Sequence, residues 1–362
     1  MLRAAFVLVF AVAAAAPVRA DHDNAKSILG AWNSLLPNLY VLKPPTDVRR
    51  LPPSTNKAAI DRVAPDAQAL LRNTMAVVLV ENGEVLFEGY ANGATKDTPM
   101  RAYSVAKSLT ALAVGEALCA GKVKSLDDKA SVYAPALEGT AYGASSVRNL
   151  LKYTSGAEDP GGNGYAGIHS FRDFNAMIAH KQSLLDLMKK YGKPGRFGQG
   201  EKFVYNGLDS QALGFVVRGA TGMPLQNWFE ETVWKKAGTE SPAGWWMDRD
   251  GNGNAEYMML MTVRDFSRIG LYVLDRLTGK AGDPCVGEFL RTASSSLTVK
   301  GYWDSAPSFG MGIHVGADGN PWMFGHGGQR IGINARSNRV FATNGYADGR
   351  SLDVNVQALL AR

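Results

Sequence analysis

Two short apolar runs, separated by a two-residue turn signal, constrain this chain more than any other feature. Met75-Ala-Val-Val-Leu-Val80 and Glu84-Val-Leu-Phe-Glu-Gly-Tyr90 lie on either side of Asn82-Gly83. Asn-Gly between strand-like runs predicts a tight hairpin, because both turn residues must adopt positive φ. Fourteen residues later, Leu109, Leu112, Ala113, Gly115, Ala117 and Leu118 follow Ser104 with the spacing of a buried helix, ended by Gly121. Strand-like segments return only near the other end, at Phe309–Val315, Pro321–Phe324 and Arg339–Ala342. Between them the chain reads as helices separated by Gly-rich loops, for example Val147–Tyr153, Leu184–Tyr191, Ser210–Gly219, Leu225–Trp234 and Thr262–Leu277. Strands at both ends and helices between them predict an α+β fold. One antiparallel sheet is built from both chain ends, flanked by helices, with a helical subdomain inserted over about residues 140–300. The domain is expected over 71–362, preceded by an extended lead-in over 21–70 that Pro44-Pro45 and Pro52-Pro53 keep out of helix.

Residues 1–20 read as a secretory signal peptide. Met1-Leu2-Arg3 is a short positive start, Ala4–Ala16 is apolar, and Val18 and Ala20 are small residues placed for cleavage after Ala20. The apolar run of 13 residues is short of the roughly 20 needed to span a bilayer. The expectation is an exported, periplasmic protein with no stable membrane insertion. The formal charge is +6, and it falls to +4 without Arg3 and Arg19. The remaining Lys and Arg are interspersed with acids, so no nucleic-acid partner is expected.

Export permits a disulfide between the two cysteines, Cys119 and Cys285. Sequence alone does not bring them within bonding distance, and two inert buried thiols are the expectation, with Cys285 in a loop. No metal or other cofactor is expected, since the five histidines form no ligand pattern. Asp248-x-Asp250-x-Asn252-Gly253 opens like a calcium loop, with Glu256 at its ninth position. Met259 stands where the bidentate Glu belongs, so an ordinary turn is expected.

The chemistry points to Ser104-Val105-Ala106-Lys107. Spacing of three places both side chains on one helical face. A serine hydroxyl needs a base before it can attack a carbonyl, and a lysine serves only if its pKa falls from about 10.4. A second S-x-x-K, Ser54-Thr55-Asn56-Lys57, lacks the apolar helix and illustrates how often the pattern arises by chance. Phe203-Val204-Tyr205-Asn206-Gly207 puts a tyrosine where a helix begins, where its phenol can serve as general base or acid. Phe324-Gly325-His326-Gly327-Gly328-Gln329 ends a strand with residues small enough for close approach. The N–H of Gln329 could pair with that of Ser104 as an oxyanion hole, each donor worth about 3–4 kcal/mol.

In this order the motifs resemble the penicillin-recognising serine hydrolases: β-lactamases, DD-peptidases and related esterases and amidases. Leu150-Leu-Lys-Tyr-Thr-Ser-Gly156 looks like that family's "LLxxTSG" segment, and the resemblance runs over about 75–345. It implies Ser104 as nucleophile, Lys107 and Tyr205 as the acid/base pair, and His326, Gly328 and Gln329 as the third-motif strand. Two departures stand out. Gly207 occupies the position of the Asn in Tyr-x-Asn, and His326 that of the Lys in K-T-G. Trp245-Trp-Met-Asp248 and Thr262-Val-Arg-Asp-Phe-Ser-Arg-Ile-Gly270 are similar to the 6-aminohexanoate-dimer hydrolase branch, with Tyr165 as a lid residue by position. The resemblance therefore implies an exported hydrolase of small esters or linear, peptide-like amides acting through an acyl-enzyme on Ser104. The alternatives are a β-lactamase or D-Ala-D-Ala carboxypeptidase using the same residues, and a catalytically silent cell-wall or ligand-binding module on the same scaffold.

Overall fold

The computed structural model describes residues 38–158, 165–166, 176–300, 308–345 and 355–361. The segment expected to be a signal peptide lies outside these residues. Eight antiparallel strands form the main sheet. In spatial order they are Glu84–Tyr90, Thr74–Glu81, Arg339–Gly345, Gln329–Asn334, Pro321–Gly325, His314–Val315, Ser308–Phe309 and Val299–Lys300. The first hairpin turns at Asn82 and Gly83 with φ of 53° and 85°, which matches the turn that Asn-Gly favours. The strand Arg339–Gly345 pairs with Thr74–Glu81, Val340 opposite Val80 and Ala342 opposite Val78. Both chain ends thus share one sheet, as the α+β reading requires.

That sheet is covered on both faces, which explains the unbroken apolar run at 75–80. Ala76, Val78 and Val80 face the main core, whereas Val77 and Leu79 face a second cluster with Ala59, Val63, Ala67, Val356 and Leu359. The second cluster is built on helix α1 (Lys57–Leu70), in the segment expected to be extended. Asn56 caps α1 by accepting from Ala59 N, and the stripe Ala59, Val63, Ala67, Leu70 has helical spacing. The lead-in also supplies a strand, Leu39–Leu42, to a second sheet with Ala243–Trp246, Met259–Met261 and Met100–Arg101. Phe309–Val315, read as one strand, is two short strands around a turn at Gly312 (φ 72°).

Helix α2 (Val105–Cys119) is buried on every side from Val105 to Ala117, its mostly apolar sequence carrying Lys107, Ser108, Thr110 and Glu116 into the interior. Helix α3 (Gly207–Thr221) lies against it. Helix α4 (Val263–Leu277) covers the inner sheet face, starting from Thr262, whose side chain accepts from Asp265 N. Helix α5 (Pro284–Ser295) packs on α2 and α4. A Cβ on Gly115 of α2 would sit 2.5 Å from the Phe289 ring of α5, so the two helices approach closely. That approach joins Cys119 to Cys285 in a disulfide with Cα atoms 5.7 Å apart. The expectation of two separate buried thiols is therefore corrected. Cys285 is exposed in the first turn of α5, because Asp283 caps that helix and Pro284 starts it.

Candidate active site

Ser104 immediately precedes α2 with φ −65° and ψ −3°, and its side chain caps nothing. The hydroxyl is left for other work. Tyr103, just before it, holds φ at 47°, a conformation costly for a bulky residue. One helical turn on, Lys107 Nζ lies 3.2 Å from Ser104 Oγ and donates to Glu256 O at 3.0 Å. Burial pushes the Lys107 ammonium down to about 8, with the Glu256 charge opposing the shift. By contrast, Ser54 of the second S-x-x-K donates to Glu84 and Lys57 pairs with Asp61, all on the surface. Context, not the four-residue pattern, separates the two copies.

Tyr205 is buried, and its ring centroid lies 5.4 Å from Lys107 Nζ. Tyr205-Asn206 is a two-residue strand leading into α3, paired in parallel with Tyr165-Ala166. This pairing sets the backbone of Tyr165, the expected lid residue, beside Tyr205. The "LLxxTSG" segment positions Tyr205 from the other side. Tyr153 packs edge-on against it at 5.2 Å, and Val204 N donates to Tyr153 O at 2.9 Å. Tyr153 is itself held by a 2.6 Å hydrogen bond between its hydroxyl and Ser210 Oγ. Asn206 caps α3, its Oδ1 accepting from Leu208 N while Nδ2 donates to Tyr142 Oη at 3.2 Å.

The third motif forms a hairpin turn at His326-Gly327-Gly328, with φ of 76° and 92° at the two glycines. It reaches the segment that carries Ser104 through Gly325, where a Cβ would stand 2.4 Å from Ala102 O. His326 is exposed and meets the Tyr103 ring edge-on at 5.8 Å. The Gln329 side chain braces the turn: Nε2 donates to His326 O and Oε1 accepts from Gly345 N. The strands and helices thus bring together Ser104, Lys107 and Tyr205, with the third-motif turn beside them.

Two residues here were not singled out as catalytic from sequence. Glu256 fits a calcium loop in sequence, but its side chain is buried behind Gly207, where a Cβ would meet Glu256 Oε2 at 1.9 Å. The loop around it is an Asx-type turn, with Asp248 Oδ1 accepting from Asp250 N and Asn252 N. Among the described residues no cluster of three or more His, Cys, Asp or Glu is arranged for a metal. Burial pushes Glu256 up to about 6 despite the nearby Lys107. His314 packs 6.3 Å from the Tyr205 ring, and burial pushes it down to about 3, helped by Arg330 and Lys107. It is therefore a neutral imidazole near pH 7. Its only sequence signal was a histidine within an apolar strand.

The β-lactamase family profile matches residues 61–345. The chain is 27% identical over 253 residues to 6-aminohexanoate-dimer hydrolase of Paenarthrobacter ureafaciens, covering 65% of this chain and 62% of that protein. It is 29% identical over 200 residues to a β-lactamase of Pseudomonas fluorescens, covering 53% and 50%. The matched segments thus span under two thirds of these relatives' lengths. Among solved structures, one from Bacillus anthracis assigned as a 6-aminohexanoate-dimer hydrolase superposes with a TM-score of 0.71 at 18% identity, covering 94% of this chain and 92% of that one. EstCE1, a hydrolase with promiscuous acyltransferase activity, gives 0.65 at 17% identity, covering 84% and 99%. At these identities the superpositions establish the fold, which is that of β-lactamases. With the profile covering most of its length, the chain belongs to the β-lactamase family.

Proposed function

We propose that this protein is an exported serine hydrolase that cleaves small esters or linear amides through an acyl-enzyme on Ser104. The observation that carries the reading is the desolvated Lys107 amine at hydrogen-bond distance from the Ser104 hydroxyl, with its pKa brought to about 8. A buried amine that loses its proton this readily can take the hydroxyl proton as Oγ attacks the carbonyl carbon. The carbonyl oxygen then carries the negative charge, held by the N–H groups of Ser104 and Gln329. Tyr205, beside Lys107, passes the proton to the departing amine or alcohol. Water, deprotonated by the same pair, attacks the ester carbonyl and restores the serine.

The choice of ester and linear amide over β-lactam rests on two positions. Gly207 offers no amide where Tyr-x-Asn enzymes present one, and His326 replaces a permanent cation that would meet a carboxylate. The names of the relatives include both chemistries. Export is supported by the leader-like first twenty residues and by the Cys119–Cys285 bridge, since disulfides persist in oxidising compartments.

A fluorophosphonate probe followed by peptide mass mapping should label Ser104 and nothing else. p-Nitrophenyl acetate and a linear aminohexanoyl amide should be hydrolysed by the native chain and not by Ser104→Ala. Labelling of a different serine, or hydrolysis surviving in Ser104→Ala, removes the assignment. Nitrocefin turnover faster than ester turnover moves the substrate to β-lactams.

A further inference from the structure

The carboxylate behind Gly207 has no place in the scheme above, although it is the acid closest in effect to the catalytic amine. Glu256 is 1% exposed, and its Oε1 has no hydrogen-bond partner among the described residues. Leaving a buried carboxylate unpaired is costly, so its position must be enforced. The loop that carries it is held tightly. Asn254 Oδ1 accepts from the backbone N–H groups of Glu256, Tyr257 and Met258. Gln211 of α3 donates to Gly253 O and accepts from Ala255 N. Thr110 of α2 donates to Ala255 O, one helical turn beyond Lys107. Helices α2 and α3 therefore fix this loop, and the missing Cβ of Gly207 leaves the room its carboxylate fills.

We propose that Glu256 is a positioning residue of this hydrolase: seated in the space left by Gly207, its carboxylate holds Lys107 protonated at neutral pH and so sets where the enzyme gains its base. The inference rests on the reading of Lys107 as base to Ser104. The groups facing the pair from neighbouring elements are Tyr142, Tyr153 and Tyr205, the buried acid Asp209, and on the sheet side His314 and Arg330. The tyrosines' hydroxyls stay protonated near neutrality where burial raises them, as at Tyr142 and Tyr153. Burial raises the Asp209 carboxyl well above its ordinary value, opposed by hydrogen bonding from Ser155. His314 is neutral too. Burial drives the proton off the Lys107 amine, and the Glu256 charge opposes it and favours the ammonium. In this role it never touches substrate.

The sign follows directly. Activity requires neutral Lys107, so the native rate rises with pH through about 8. Removing the carboxylate removes the group that holds the proton, and the rise moves to lower pH by about one unit. For p-nitrophenyl acetate, Glu256→Gln should then exceed the native enzyme at pH 7 by about fivefold in kcat/KM, with the ratio approaching one near pH 10. Glu256→Asp, which keeps the charge, should keep the native profile. Gly207→Ala, whose Cβ must displace the carboxylate, should move the profile the same way as Glu256→Gln and serves if the latter does not fold. A profile that stays in place in the folded variants, or moves to higher pH, overturns the proposal. So does a rate lost at every pH, because that outcome makes Glu256 a proton acceptor in the reaction itself. Failure of the Ser104 assignment would register separately, as absent fluorophosphonate labelling of the native chain.

Discussion

Replacing both Cys119 and Cys285 by alanine isolates the contribution of the bridge that the sequence did not predict. The bridge spans 166 residues of chain and closes a loop that contains Tyr205, Glu256 and helices α3 and α4. On the loop-entropy relation, a closure of that length restricts the unfolded chain by up to about 5 kcal/mol at 25 °C. Domains of ordinary stability hold only about 5–15 kcal/mol in total, so the loss should be plain in a urea titration followed by circular dichroism. The expected destabilisation is about 2–5 kcal/mol, the same for the double variant and for native protein under reductant. The reductant should then have no effect on the double variant. Activity at 25 °C should stay within about twofold of native, because the bridge lies at the far end of α2, roughly 20 Å from Ser104 at the helical rise per residue. A loss below about 1 kcal/mol would show that the bridge does not restrain the unfolded chain as argued. An equal loss of activity and stability would show that α2 depends on the bridge to hold Ser104 and Lys107.

Gly325→Ala should cost at least tenfold in kcat/KM and about 1–3 kcal/mol in stability, since the new methyl lies 2.4 Å from Ala102 O and must move the turn off the nucleophile; ester kinetics beside a thermal melt would expose a normal enzyme if the contact is unimportant. Arg268→Ala should cost about 3–5 kcal/mol by leaving Asp265, 0% exposed, without the guanidinium 3.0 Å away, and a melting curve that scarcely moves would mean Asp265 is satisfied by Glu240 N, Ser241 N and Thr262 Oγ1 without it.

Much of the fold could be read because local and global signals agreed. Asn82-Gly83 predicts a hairpin and forms one. The apolar run after Ser104 predicts a helix buried all round and forms α2. The three motifs predict one site, and Ser104, Lys107 and Tyr205 meet there. The failures share a physical cause, which is that partners distant in sequence decide the outcome. Leu39–Leu42 is only four residues long and sits in a largely polar, proline-punctuated lead-in, yet Ala243–Trp246 supplies a pairing edge. Helix α1 carries a proline at 65 that argues against it, yet its apolar stripe finds the outer sheet face. Glu256 was hidden because nothing in its own segment tells that Gly207, 49 positions earlier, leaves room for a carboxylate beside an amine from α2. The pairing of Cys119 with Cys285 depends on how closely Gly115 lets α5 approach, which no spacing rule contains.

The seam between Thr74–Glu81 and Arg339–Gly345 has a consequence for how the protein is made. Ribosomes add about 5–20 residues per second, so the first strand of the seam is finished roughly ten to fifty seconds before its partner emerges. Throughout that wait the nascent polypeptide displays an unsatisfied, apolar edge, the kind of surface that invites capture by other chains. It also lacks the Gly325–Gln329 turn that borders the Ser104 segment. A product terminated before residue 325 therefore carries Ser104 and Lys107 but neither the sheet partner nor the turn that borders them.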